Sequence, residues 1–295
     1  MKEAVSITTD FDGSHGDPGR ALRLLAENGV RYIMWCHEWN TDHLYSDREL
    51  AYLAGLLKQT GIRLLDIHGS DGGASGEISS WYSPCETYRE SGVELVRNRL
   101  RMMAMLHGEG SLVMHVPFLR DTFTKEQIEG DYGANRKFDA LRRSLDTLVP
   151  ECQALGVPLA LENMPEDNWV FLETILKEYP ADVVGLCYDS GHGNISWSET
   201  PPIGLEKIEA HKERLFALHL HDNDGRGDQH QPPFFGTIDW ERLIRIVDAS
   251  PSCVRPLNFE LSYREPSGKG VTVEAWLRDA VERCRKVAAL SPISQ

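Results

Sequence analysis

No stretch of the 295-residue sequence strings together the roughly eighteen apolar residues that a membrane span requires, so a transmembrane role is not expected. The first residues, MKEAVSITTDF, lack the long apolar core of a secretory signal. The six cysteines, at 36, 85, 152, 187, 253 and 284, include no Cys-x-x-Cys pair. Together these absences point to a reduced, cytoplasmic protein and not to a disulfide-stapled secreted one. Cys36 and Cys187 sit in apolar, strand-like runs and read as small hydrophobes. Basic residues are also in short supply: 31 Lys and Arg stand against 45 Asp and Glu, for a net charge of −14. That balance excludes nucleic acid and anionic membrane surfaces as expected partners, since both demand a basic face. No Pro/Ser-rich linker, low-complexity tract or charge block divides the chain. No Gly-x-Gly-x-x-Gly follows a strand-like run, which removes the commonest use of an open, doubly wound sheet.

What remains is a regular alternation. Short apolar runs rich in β-formers predict strands over 4–9, 31–38, 63–68, 111–116, 158–161, 183–188, 216–219 and 257–261. Amphipathic segments predict helices over 18–28, 47–60, 87–107, 136–155, 169–179, 205–214, 240–249 and 273–289. Asp17 before Pro18 is an N-cap signature, and Gly29, Gly61 and Gly156 are stop signals. Eight strand–helix repeats imply a parallel sheet sheathed in helices, and eight is the number that closes a (β/α)8 TIM barrel. We expect one domain covering residues 1–295.

The most informative stretch runs from Leu215 to Trp240, LFALHLHDNDGRGDQHQPPFFGTIDW. An apolar strand opens it, and His219, His221, Asp222, Asp224, Asp228 and His230 then follow, with Gly225 and Gly227 between them. Imidazoles and carboxylates at a strand end are the raw material of a metal site, although any one of them alone reads as a solvated loop residue. The other strand ends decide the matter. The third strand ends in His68 and the fourth carries His115. The fifth runs into Glu162-Asn163, the sixth into Asp189-Ser190-Gly191-His192, and the eighth holds Glu260. In barrels of this kind chemistry sits at the C-terminal strand ends. Carboxylates converging on one mouth would repel one another, and a divalent cation is the simplest remedy.

On these motifs the chain resembles the xylose isomerase-like TIM-barrel superfamily, which holds sugar isomerases and epimerases together with endonuclease IV-type AP endonucleases. The resemblance is carried by Leu161-Glu162-Asn163, Asp189-Ser190-Gly191-His192, His219-Leu220-His221-Asp222 and Asp228-Gln229-His230 leading to Gly236-Thr237-Ile238-Asp239-Trp240. In the epimerase branch it implies metal ligation by Glu162, Asp189, His219 and Glu260, with His192 touching substrate. The endonuclease branch binds three zinc ions through a longer set, for which His68, His115, His192, Asp228 and His230 are candidates here. The acidic charge, the Glu162-Asn163-Met164-Pro165 motif and the lack of an aromatic-bearing loop after His68 favour the sugar branch. Phe234-Phe235-Gly236 departs from the Gly-x-Gly that members often show there.

The expected activity is therefore a metal-dependent sugar isomerase or epimerase working through an enediolate. Glu162 and Glu260 would move the proton, and His192 would orient a hydroxyl. Trp35, Trp39 and Trp81 are candidates for stacking on a sugar ring. Mixed oxygen and nitrogen donors suit Mn²⁺, Zn²⁺ or Co²⁺ better than Ca²⁺. The partner is a small sugar or sugar derivative, and homo-oligomerisation is left open. Two other classes are carried forward: a multi-zinc phosphodiester hydrolase, and a sugar-binding barrel without turnover.

Overall fold

The computed structural model describes residues 5–12, 17–70, 72, 80–117, 134–164, 169–196, 202–253, 255–263 and 270–292. Its eight strands are β1 (Val5–Thr8), β2 (Tyr32–Trp35), β3 (Arg63–His68), β4 (Leu112–Met114), β5 (Leu159–Glu162), β6 (Val184–Asp189), β7 (Leu215–His219) and β8 (Leu257–Phe259). All pair in parallel in the order β7-β6-β5-β4-β3-β2-β1-β8. Just past β7, Leu220 N–H donates to Asn258 O at 3.0 Å and Glu260 N–H donates to Leu220 O at 3.0 Å, which brings β8 back to β7. The molecule is a single-domain (β/α)8 barrel. Apart from Arg63, every strand residue is buried, as expected when helices cover the outer face and side chains fill the inner one.

Helices alternate with the strands: α1 (Pro18–Glu27), α2 (Asp47–Thr60), α3 (Glu86–Met105), α4 (Ala134–Leu155), α5 (Trp169–Glu178), α6 (Ser190–Asn194), α7 (Gly204–Ala210), α8 (Trp240–Asp248) and α9 (Val273–Ala288). Their ends are set by local chemistry. Asp17 caps α1 by accepting from Arg20 N–H at 2.9 Å, with Pro18 in the first turn. Ser46 and Glu49 form a reciprocal capping box on α2, and Gly61 closes it at φ 66°. No helix among the described residues is long and apolar enough to cross a membrane.

The differences from expectation are local. The strand expected at 111–116 shortens to Leu112–Met114 and that at 257–261 to Leu257–Phe259, so His115 and Glu260 each stand one residue beyond a strand. The helix expected over 205–214 is split into α7 and a 3₁₀ turn, Lys212–Arg214. Its last turn is drawn aside by Arg214, whose guanidinium donates to Leu176 O at 2.6 Å and to Val184 O. Helix α6 was not expected at all. Two stretches that the sequence marks as loops, a Gly- and Ser-rich one over 69–80 and an irregular one over 117–133, lie largely outside the described residues.

One buried cation organises the loop between β2 and α2. Arg99, fully buried on α3, donates to His43 O at 2.8 Å and Glu38 O at 3.2 Å and lies 4.7 Å over the Tyr45 ring. Beside it, Asn98 exchanges hydrogen bonds of 2.9 Å with the backbone N–H and carbonyl of Tyr45. Glu38 sits at φ 61°, a left-handed conformation that the clamp holds in place. Arg99→Met keeps the aliphatic volume and removes the donors, so it is expected to lower the unfolding free energy by on the order of 3 kcal/mol in urea denaturation.

Candidate metal centre

The strand ends deliver a compact cluster. Glu162 closes β5, Asp189 closes β6 and His219 closes β7, while Glu260 follows β8. One oxygen or nitrogen from each of these four falls within 4.8 Å of the others. His219 Nδ1 stands 3.1 Å from Glu162 Oε2 and 2.9 Å from Glu260 Oε2. Despite that proximity neither ring nitrogen of His219 makes a well-formed hydrogen bond among the described residues, and the side chain is wholly buried. Oxygen and nitrogen donors brought to one point by successive strand ends are what an ion-binding set looks like.

His68 and His115 approach from the other side, with Nε2 at 3.8 and 3.5 Å from Glu162 Oε2. In His68 the Nδ1–H donates to Gly69 O at 3.0 Å, and in His192 to Asn163 O at 2.8 Å. A carbonyl can only accept, so each Nδ1 carries a proton, and whenever the ring is neutral its Nε2 is the lone pair, the usual arrangement behind metal-binding histidines. Asn163 braces the neighbouring strand as well. Its amide donates to Asp189 O at 3.0 Å and accepts from Asp189 N–H at 2.8 Å.

A second group lies alongside: His221, Asp228 and His230 also bring donor atoms within 4.8 Å of one another. His230 Nε2 is 2.9 Å from Asp228 Oδ2, and the His221 and His230 rings stack at 4.1 Å. His221 joins the two groups, because its Nε2 donates to Asp189 at 3.0 Å and lies 3.5 Å from Asp228 Oδ1. Sequence reasoning counted His221 among the loop's donors without giving it a place. Its signal was the i, i+2 spacing from His219, which carries the chain from the barrel interior to the next inward position.

Charge in the cluster is self-balancing. Burial would raise Glu162 and Glu260, but His219 beside both, with His115 at Glu162, holds them well below the ordinary carboxylate range. In return His219 is lifted well above an ordinary imidazole against the effect of burial, by its contact with the Cys187 sulfur and by the charges of Glu162 and Glu260. His192 is raised in the same way by Asp189, Asp228 and Glu162. His230 reaches about 9, again against burial, through Asp228, Glu260 and Asp189. A divalent cation would supply the same positive charge and leave the imidazoles neutral to ligate it.

The aromatic candidates separate. Trp35 and Trp81 are core residues at 3% and 0% exposure, Trp35 donating to Tyr45 Oη and Trp81 to His115 O. They do not line the mouth. Trp39 does stand beside the cluster, its ring 5.2 Å from His68 and 5.9 Å from His115. Asp222 also proves to be a structural residue. Its buried carboxylate accepts from Asn223 N–H, Phe234 N–H, Ile238 N–H and Trp240 Nε1–H at 3.0, 2.8, 3.3 and 3.1 Å. This folds the β7–α8 loop back so that Asp228 and His230 face the centre. Phe234 sits at φ 70°, and a Cβ at Gly236 would lie 2.0 Å from Asn223 O, so the unusual Phe-Phe-Gly keeps its one indispensable glycine.

The profile of the xylose isomerase-like TIM barrel family matches residues 22–287. The chain belongs to that family. An uncharacterized protein of Sinorhizobium fredii is 31% identical to this xylose isomerase-like barrel over 258 residues, 81% of this chain and 79% of the other. A protein of Methanocaldococcus jannaschii is 25% identical over 167 residues, 54% and 53% of the two chains. Among solved structures, a D-tagatose 3-epimerase-like protein superposes with TM-score 0.71 at 16% identity, over 97% of this chain and 96% of its own. The 3-keto-D-glucoside 4-epimerase of E. coli gives 0.67 at 16% identity, over 96% and 99%. At such identities the superpositions establish the shared fold.

Because Asp222 satisfies four donors at once, Asp222→Ala should cost on the order of 3–4 kcal/mol in unfolding free energy. Denaturant titration checks the figure. A loss below about 1 kcal/mol would mean that the loop closes without it.

Proposed function

We propose that the protein is a divalent-metal-dependent isomerase or epimerase of a small sugar or sugar derivative, working by proton transfer in a reducing, cytoplasmic setting. One observation carries the reading: Glu162, Asp189, His219 and Glu260 converge at the mouth of a xylose isomerase-like barrel with donor atoms within 4.8 Å of one another. The names borne by the superposed epimerases support the substrate class, and the six free thiols suit the compartment. The donor set fits the ion: three carboxylates and a buried imidazole with no well-formed hydrogen bond suit Mn²⁺, Zn²⁺ or Co²⁺.

A divalent cation held by these four residues would polarise two neighbouring substrate oxygens and acidify the carbon-bound hydrogen between or beside them. The proton work falls to the protein. Glu162 and Glu260 flank His219 from β5 and β8, and both are held ionised, so each can accept a proton. They differ in access to water. The Glu162 side chain is 1% exposed and that of Glu260 17%, so Glu260 is the carboxylate that exchanges its acquired proton with solvent. His192, fixed by Asn163, would accept a substrate hydroxyl proton at Nε2, and Trp39 would offer its face to the apolar side of the sugar.

A second reading, multi-ion phosphodiester hydrolysis, is favoured by the group His221, Asp228 and His230 and by His68 and His115 around Glu162. The net charge of −14 counts against a polyanionic substrate. Ion stoichiometry separates the two. Protein purified without chelator should carry about one divalent transition-metal ion per chain, and Asp189→Ala should lose most of it; close to three would favour the hydrolase. Elemental analysis provides the count. Metal-free wild type that gains no thermal stability from Mn²⁺ or Zn²⁺ would sink both readings, because a ligand bound by the native state must stabilise it.

The chemistry has its own test. A ketose panel incubated in D₂O should yield a product carrying deuterium at the carbon beside the carbonyl, detected by NMR. Metal-loaded Glu260→Gln should lose at least about a hundredfold in turnover, as expected when a general base is removed. Full turnover without label in the wild type, or unchanged turnover in the loaded variant, would count against the proton-transfer role of Glu260.

A further inference from the structure

Sulfur lies against this centre. Cys187 on β6 is in register with Glu162 on β5 and with Ala217 on β7, and it stands two residues before Asp189. Strand alternation therefore aims its side chain into the barrel on the same face as Asp189. It is 1% exposed and belongs to a small apolar group with Val113, Ala160, Phe216 and Ala217. Burial pushes the thiol well up, so by itself it is a neutral packing group, as the sequence suggested. Its neighbours make it more than that. Donor atoms of Glu162, Cys187 and His219 lie within 4.8 Å of one another, and wholly buried His219 lacks a well-formed hydrogen bond at both ring nitrogens among the described residues.

We propose that Glu162, Cys187 and His219 form a second, thiol-containing coordination set inside the same centre, which takes thiophilic divalent ions, Cd²⁺ and Zn²⁺, in preference to Mn²⁺ or Mg²⁺. The inference rests on the reading of Glu162 and His219 as metal ligands. Both residues are common to the two sets, so a single ion is drawn either towards the carboxylates of Asp189 and Glu260 or inward towards sulfur. Hard ions have no reason to leave oxygen, whereas soft ions favour thiolate. On binding, a metal–sulfur bond forms and the thiol proton passes to solvent, since a coordinating thiol is deprotonated. Cys36, also buried in the barrel, accepts from Thr8 Oγ1 at 2.7 Å, whereas the polar neighbour of the Cys187 sulfur is His219.

The full-length protein is stripped of metal, with exposed Cys85 changed to Ser in every sample to silence surface sulfur. It is then titrated with Cd²⁺ and separately with Mn²⁺. We expect a sulfur-to-cadmium charge-transfer band that grows with the first bound ion, is absent in Cys187→Ser and Cys187→Ala, and survives in Cys36→Ser. Cys187→Ser should weaken Cd²⁺ binding by at least about tenfold and Mn²⁺ binding by less than about twofold. ¹¹³Cd NMR of the protein with Cys187 intact reads sulfur ligation directly, so the result does not depend on those variants folding. Bound Cd²⁺ with no band and an oxygen/nitrogen chemical shift would overturn the proposal while leaving the metal reading standing. A band that persists without Cys187 would also overturn it, and failure to bind Cd²⁺ or Mn²⁺ at all would remove both.

Discussion

Negative charge buried at the barrel mouth is the constraint on which the other features of the site depend. Glu162 and Asp189 are essentially inaccessible to water, and Glu260 and Asp228 crowd beside them. Such a group is tolerable only if positive charge is interleaved with it. Each carboxylate accordingly faces at least one imidazole: His219 for Glu162 and Glu260, His221 for Asp189, His230 for Asp228. One glycine is a spacing device for such a ring. A Cβ at Gly191 would lie 1.8 Å from His221 Cε1, so the Asp-Ser-Gly-His turn needs glycine where the imidazole reaches Asp189.

The barrel makes this arrangement affordable in structural terms by keeping polar and apolar faces apart. Helices meet the outer strand faces in one continuous core running from Val5 to Ala288. On the inner face small residues such as Val113, Ala160 and Ala217 fill the space, while polar side chains gather at the C-terminal ends. The loops then do the fine positioning. Arg99 clamps the β2–α2 loop that carries Trp39, and Asp222 gathers the β7–α8 loop that returns Asp228 and His230. In both cases a buried charged side chain is satisfied by the backbone of the loop it shapes, and this ties loop geometry to the stability of the whole domain.

Much of this was legible in the sequence because it depends on period and spacing. Strand–helix alternation, the cap at Asp17, the glycine stops and the carboxylates and imidazoles at successive strand ends are all local signals. The parts that escaped notice are tertiary. Helix α6 is too short to show a period, and it forms because Asp189 accepts from His192 N–H at 2.6 Å. Trp35 and Trp81 look like Trp39 in sequence, and only packing buries the first two while leaving the third at the mouth. His221 and Asp222 are adjacent polar residues of similar promise. One faces the cluster and the other turns into its own loop, a distinction fixed by hydrogen bonds to residues twelve to eighteen positions further on.

His192 shows why one set of residues can support two chemistries in this fold. Its Nδ1–H is committed to Asn163 O, so all its versatility resides in Nε2. Protonated, that nitrogen lies 3.6 Å from Asp228 Oδ2 and helps to balance its charge. Neutral, it is a lone pair that can accept a hydroxyl proton from a sugar or ligate an ion shared with Asp228. The choice depends on whether His221 and His230 keep Asp228 occupied, because a carboxylate already paired with two imidazoles has little reason to recruit another ion. With His221 bonded to Asp189 and leaning on Asp228, the second group is tied to the first by a protein donor. On the proposed reading, such a tie favours one ion at the carboxylates of Glu162, Asp189 and Glu260 and leaves His192 to the substrate.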